Sequence, residues 1–303
     1  MLNGVLVVRK PLGLRSTDCL RHLSRVLGRQ QKIGHAGTLD STASGALIVM
    51  LGRATRLSNF VMDLPKRYVA SVQFGWETDT DDREGRPLGP ETVPFLDDEK
   101  LSCALLSLLG TRLQVPPAVS AVKVAGERSH RLARGGYQVE NAPRPVTVTS
   151  IRVIGSLEKS CRVLDVRCHR GTYVRSLARD LGRVTGWKAH LNGLERVSVG
   201  NFCAEGGLPP DEFSPQTVQR ALHPVTAVAR HYARVCVSQD VERRLLCGLP
   251  QRLDFLPKIK FGPVTGPVAV IGPSWLSLCR NERRDGMPML SPLANVPLAK
   301  VVE

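Results

Sequence analysis

Residues 34–45 read GHAGTLDSTASG, and the chain on either side is arranged around this stretch. Three glycines, two alanines and a single acid, Asp40, fall within it without any hydrophobic period. Glycine takes positive φ and has no Cβ, so a turn of this composition lets the backbone lie close to a ligand. With His35 neutral, Asp40 is the one charge of the turn, flanked by Arg25, Arg29 and Lys32 before it and Arg53 and Arg56 after it. A lone carboxylate among cations is a candidate for chemistry more than for structure.

Working outward, Val5–Lys10 is apolar and stops at Pro11, which predicts a buried strand with Lys10 at its end. Ser16 or Thr17 is placed to cap the next helix, whose Leu20, Leu23, Val26 and Leu27 share one face while Arg21, Arg25 and Arg29 share another. After the turn, Ala46–Leu51 reads as a second buried strand, and Ala54–Met62 as a basic helix. Arg67–Phe74 alternates, with Tyr68, Ala70, Val72 and Phe74 inward and Ser71 and Gln73 outward. TDTDDREG, residues 78–85, reads as a solvated acidic loop, since it lacks the downstream glutamate of a calcium loop. Asp97 or Asp98 is positioned to cap a helix reaching Leu109.

Residues 116–145 are basic, broken by Gly135 and Gly136 and closed by Pro143 and Pro145. Lys123, Arg128, Arg131 and Arg134 make 123–144 an expected clamp on a polyanion, poorly ordered until that partner binds. Two paired strands, Val146–Ile154 and Arg162–Cys168, come next. RGTYVRSLARDLG then opens a helix near Thr172, with Tyr173 and Arg175 in its first turn. His190–Val199 is a further strand with Leu194 at its middle. PPDEF and SPQ read as a linker, followed by a helix to about Ala227. The rest is short apolar pieces between Gly and Pro turns, a small β-rich unit. The division is 1–230 and 231–303.

The formal charge of +15 points to a polyanionic partner, with nucleic acid first among the candidates. Residues 1–60 hold nine Lys or Arg against two acids, and residues 121–200 hold fifteen against six, whereas residues 61–100 hold five against ten. Two basic blocks therefore flank an acidic one. No apolar run is long enough to span a membrane and no basic leader precedes an apolar segment. Eight scattered cysteines show no CxxC and no zinc spacing, which reads as reduced thiols of a cytoplasmic protein.

Taken in order, GHAGTLDSTASGAL, VVRKPLGLRST, KRYVASVQFGWETDTDD, SAVK and GTYVRSLARDLG resemble the TruB family of tRNA pseudouridine synthases over about the first 200 residues. The resemblance implies an α/β (α+β) fold, with a mixed, largely antiparallel sheet, flanking helices and a central cleft. It also implies a small, divergent PUA-like C-terminal domain. Position by position it implies Asp40 as nucleophile, Tyr68 as the active-site tyrosine and Arg175 as the arginine paired with the aspartate. It further implies His35 in the stack vacated by the target base, Tyr173 and Leu194 lining a uracil pocket, and Lys10 as the first motif's lysine. Ser41 and Thr42 stand where the family commonly has Pro and Leu, Val119 replaces a frequent Tyr, and Glu195 replaces a frequent Arg, removing one RNA contact.

The implied reaction breaks the N1–C1′ bond of uridine, turns the base, joins C5 to C1′ and removes the C5 proton. It involves no redox change, so no cofactor and no metal are expected. It calls for a carboxylate, a cation beside it and a dry pocket that retains the free base. Singly, Asp40 reads as a helix cap, His35 as a satisfied surface group and Tyr68 as core. Their joint, ordered occurrence with Arg175 favours the enzyme, and the resemblance implies that it acts on the T arm of tRNA at uridine 55; a monomer without an obligate protein partner is expected. Two other readings stay open at this point: a noncatalytic RNA chaperone on the same scaffold, and a guide-RNA-dependent pseudouridine synthase.

Overall fold

The computed structural model describes residues 1–120, 123–124, 127–128, 141–252 and 266–298, and the side chains of 123–124 and 127–128 fall outside it. The elements begin with β1 (Gly4–Lys10), α1 (Ser16–Leu27), β2 (Ile33–His35), β3 (Ala43–Leu51), α2 (Ser58–Asp63) and β4 (Lys66–Phe74). Next come α3 (Asp98–Ser107), β5 (Gly110–Gln114), β6 (Lys123–Val124), β7 (Glu127–Arg128), β8 (Arg144–Glu158), β9 (Cys161–Cys168) and α4 (Val174–Thr185). Then follow β10 (Ala189–Val199), β11 (Phe202–Cys203), α5 (Pro215–Arg220), β12 (Leu222–His223) and α6 (Thr226–Ala229). The last are β13 (Ala233–Cys236), α7 (Gln239–Leu246), β14 (Gln251–Arg252), β15 (Val268–Ile271), β16 (Trp275–Arg284) and β17 (Met287–Pro297).

The main sheet runs β12-β1-β3-β10-β4-β9-β8-β5, with β2 on β3 and β11 on β10. Among the described residues every pairing in it is antiparallel except that of β3 with β10. That parallel pair sets Ala43, near the end of the glycine turn, opposite Leu194, and Gly45 opposite Arg196. On its other edge β10 sets Arg196 opposite Tyr68. The turn, Leu194 and Tyr68 therefore meet at the middle of the sheet.

The alternation of β4 decides which face is covered. Tyr68, Ala70, Val72 and Phe74 pack with Leu164 and Val166 of β9 and with Val174, Leu177, Ala178 and Leu181 of α4. Burying each Val or Leu contributes about 1.5–3 kcal/mol, so this stripe fixes the seat of α4 and with it the first-turn arginine. Asp97 accepts a hydrogen bond from Lys100 N and starts α3, as its sequence signal predicts. On the other half of the sheet Leu6, Val8, Leu47 and Val49 pack under α1 through Cys19 and Leu23.

Three expectations change. Ser16 does not cap α1: the Asp18 carboxylate accepts from Arg15 N and closes the first turn, leaving the Ser16 hydroxyl free for a distant partner. PPDEF is not a free linker, because Leu208 exchanges backbone hydrogen bonds with Val7 and Arg9, and Leu208, Pro210 and Phe213 are buried. The single helix to Ala227 is instead α5 and α6 with β12 between them, and β12 pairs with the edge of β1. An exposed sheet edge is a liability, and pairing it overrides the local helical pattern.

The C-terminal strands form a second sheet, β13-β15-β16-β17-β14, matching the β-rich expectation. Ala269, Leu276, Leu278, Ala294 and Val296 join one core cluster with Val5, Ile48, Met50, Ala54, Leu57 and Val61 of the first.

Candidate active site

The glycine turn is held at several points. Ser16 Oγ donates to the Leu39 carbonyl and accepts from Leu39 N, both at 2.9 Å, so the residue before Asp40 is pinned to α1. Gly13 N donates to the Ser41 carbonyl and Ala43 N to the Asp40 carbonyl. Gly45 has φ +104°, and a Cβ there would stand 2.3 Å from the Arg196 carbonyl, so no other residue fits where β3 leaves the turn.

Asp40 points out of this frame with its side chain 47% exposed, and its Oδ2 lies 3.0 Å from Nη2 of Arg175. Arg175 itself is buried. Its Nη1 donates to the Thr80 carbonyl at 3.1 Å and its Nη2 to the Val119 carbonyl at 2.9 Å. The Asp82 carboxylate lies 3.7 Å from Nη1. One guanidinium thus ties the glycine turn, the acidic loop and the root of the basic segment. Tyr173, the N-cap residue of α4, is fixed through its backbone: its N donates to Gln114 Oε1 and its carbonyl accepts from Gln114 Nε2.

Tyr68 is buried, and burial raises its phenol above the usual tyrosine range, keeping it neutral at physiological pH. Tyr173 is shifted upward for the same reason. His35 ends β2, opposite Val49. Burial first, and the Arg196 charge second, hold its imidazole below the ordinary histidine value, so it is neutral at pH 7. Its buried Nδ1 has no hydrogen-bond partner among the described residues. Lys10 is fully buried, and its ammonium donates to the carbonyls of Pro11 and Leu14 at 2.9 and 2.6 Å. It shapes the turn behind Asp40.

The structure pairs Asp40 with Arg175, sets Leu194 opposite Ala43 beside the glycine turn and sets Tyr68 opposite Arg196 on the neighbouring strand, while Tyr173 caps the helix that carries Arg175. Glu195 lies on the opposite face of β10 from Arg196 and is exposed. Backbone atoms of Lys123 and Arg128 pair in the short β6–β7 ladder, while Arg131 and Arg134, and with them most of the expected clamp, lie outside the described residues.

The acidic loop corrects its reading as a solvated turn. Thr78, Asp81 and Asp82 are buried, and Asp81 faces Arg179 at 2.7 Å while Asp82 faces Arg175. Arg175 and Arg179 are one helical turn apart, so α4 presents two cations to two successive acids. Burial still pushes the Asp81 carboxyl up to about 6, against the pull of Arg179. The spacing of those two arginines was the available signal. Their acidic partners lie almost a hundred residues away, which a reading by local polarity misses. Gln114 and Arg196 carried no local signal, and Ser16 only that of a helix cap.

Residues 25–174 match the family model described as "TruB family pseudouridylate synthase (N terminal domain)". A protein of Thermobifida fusca named tRNA pseudouridine synthase B is 36% identical over 293 residues, covering 94% of this chain and 96% of that one. One of the same name from Corynebacterium efficiens is 40% identical over 233 residues, 76% of this chain and 78% of that one. Among solved structures, a chain of a Cbf5-Nop10-Gar1 complex superposes with a TM-score of 0.73 at 22% identity, covering 97% of this chain and 84% of that chain, a likeness of fold.

Proposed function

The chain belongs to the TruB family of pseudouridylate synthases, and from that membership and the geometry of the cleft we propose that it isomerises uridine 55, in the T arm of tRNA, with Asp40 as nucleophile. The enzyme is an isomerase, a tRNA pseudouridine synthase. The observation that carries the site assignment is the half-exposed Asp40 carboxylate held 3.0 Å from a buried arginine. A charge-assisted pair of this kind fixes the carboxylate's direction before the substrate arrives.

The target base has to leave its stack to reach such a pocket. Neutral His35, on the strand leading into the turn, supplies a flat group for the vacated space. Tyr68 offers a ring face and a protonated hydroxyl at the pocket floor, and Tyr173 and Leu194 close its sides. Those walls retain the free base while it turns from N1 to C5. Basic residues outside the cleft, Lys123, Arg128, Arg131 and Arg134 among them, would track the RNA backbone. The reading includes a catalytic unit of residues 1–230 with a smaller unit of 231–303, and a monomer working in the cytoplasm.

The test is tritium release from tRNA carrying C5-labelled uridine, with binding measured in parallel. Asp40→Asn is expected to reduce product below detection while leaving tRNA affinity within about three-fold, since the carboxylate contributes nothing to phosphate contacts. Product from Asp40→Asn would overturn the assignment of the nucleophile. Release from a transcript lacking a uridine at position 55 would overturn the target alone.

A further inference from the structure

Among the described residues Arg196 is the largest fully buried side chain, larger than any apolar residue buried to the same degree. It is 2% exposed, yet no carboxylate among the described residues pairs with it. A buried cation costs several kcal/mol unless its donors are met, and here they are met by backbone carbonyls, with the Tyr68 hydroxyl beside them. Nε donates to Ala46 O at 2.7 Å, Nη2 to Gly37 O at 3.0 Å and Nη1 to Thr38 O at 3.5 Å. Gly37 and Thr38 precede Asp40, and Ala46 follows it. The planar fork thus closes the neck of the turn from beneath, with Gly37 at φ +93° presenting its carbonyl to it.

The side of β10 that carries Arg196 also faces Tyr68, its cross-strand neighbour. The charge of Arg196 partly offsets the effect of burial on that phenol, and it lowers the proton affinity of Lys10, His35 and Lys66. For all three, burial is the larger cause and the Arg196 charge acts in the same direction.

We infer that Arg196 is a positioning residue for the reaction, a staple across the neck of the 37–46 turn that fixes where the Asp40 carboxylate stands relative to Tyr68. The inference rests on Asp40 being the nucleophile. Arg196 holds the turn and lies against the Tyr68 phenol, so its effect reaches the reaction through these two. Lysine at this position keeps the charge but is a single point donor on a flexible stem, and it cannot span Ala46 and Gly37 in one plane. A carboxylate displaced by even 1 Å from its reacting partner loses about a hundred-fold in rate.

The experiment measures single-turnover pseudouridine formation and tRNA Kd for Arg196→Lys and Arg196→Met, with Asp40→Asn and wild type beside them and folding checked by circular dichroism and Tm. The expected result is a folded Arg196→Lys whose chemical step slows by about ten- to a hundred-fold with Kd within about three-fold, and a larger loss in Arg196→Met. A role in packing alone would lower Tm and leave the chemical step of the folded fraction unchanged. Wild-type single-turnover rates in folded Arg196→Lys would overturn the inference, as would failure of both variants to fold, which would make Arg196 a core cation only. Activity in Asp40→Asn would remove the premise. An inactive Asp40→Asn beside a fully active Arg196→Lys would remove the staple alone.

Discussion

At the scale of single residues, the cleft is built by spending charges on backbone. Lys10, Lys66 and Arg196 all direct their donors to carbonyls, and among the described residues none makes an ion pair. Lys66 shows the cost. Its Nζ donates to the Met62 carbonyl, and burial, reinforced by Arg196, lowers its pKa from 10.5 to about 8. Because the folded value lies below the unfolded one, the unfolded chain binds more protons between about 8 and 10.5, and stability rises with pH across that window. A drop of that size corresponds to about 3 kcal/mol carried at neutral pH. Lys66→Met is therefore expected to be more stable than wild type at pH 7, and the advantage to shrink as pH is raised to 10.5. Urea unfolding of both proteins at pH 7 and pH 10 checks this, and a pH-independent difference would mean that the ammonium is solvated in the fold. None of this was legible in KRY, where a lysine opening a strand reads as a surface group.

At the scale of elements, α4 is the organiser. Its start was readable from RGTYVRS, because Val174, Leu177, Ala178 and Leu181 repeat at helical spacing and Gly186 ends it in the left-handed region. Of its polar side only the Arg175–Asp40 pair was expected, from the resemblance; the rest was not readable, since Arg175, Ser176 and Arg179 also reach back to carbonyls and an acid of segments 56 to 98 residues earlier in the chain. The strands fared better, because alternation encodes burial directly: β4, β9 and β10 fall within one or two residues of their expected spans. The Arg179–Asp81 pair tests how α4 holds the acidic loop. Removing one partner leaves the other buried and uncompensated, so Arg179→Met should cost about 3–5 kcal/mol at pH 8. At pH 5, below the value of about 6 to which Asp81 is pushed, the acid can take up a proton and the cost should fall. The double variant Asp81→Asn, Arg179→Met should recover part of the loss, and strictly additive losses in a double-mutant cycle would mean the two are not coupled.

At the scale of the whole molecule, the two sheets share a core. A boundary near residue 230 follows from the change of composition, yet Ala269, Leu276, Leu278, Ala294 and Val296 pack in the same cluster as Ala54, Leu57 and Val61. Arg53 lies over the Trp275 ring with 5.7 Å from guanidinium carbon to ring centroid, a second contact across that boundary. Sequence could not foresee this, because the apolar pieces after residue 235 fit a self-contained β unit equally well. A core common to two sheets couples their unfolding, since neither can open without exposing the other's apolar surface. The tryptophans allow this to be read: Trp187 packs edge-on to Phe74 in the main sheet, whereas Trp275 begins β16 in the second. Two variants, each keeping one of these tryptophans as the reporter, should give superimposable urea transitions monitored by fluorescence. Leu276→Ala, which opens a cavity in the shared cluster, should shift both reporters together by about 2–5 kcal/mol. Two separated midpoints, with only the Trp275 transition moved by Leu276→Ala, would show instead that the C-terminal sheet is an independent unit resting against the first.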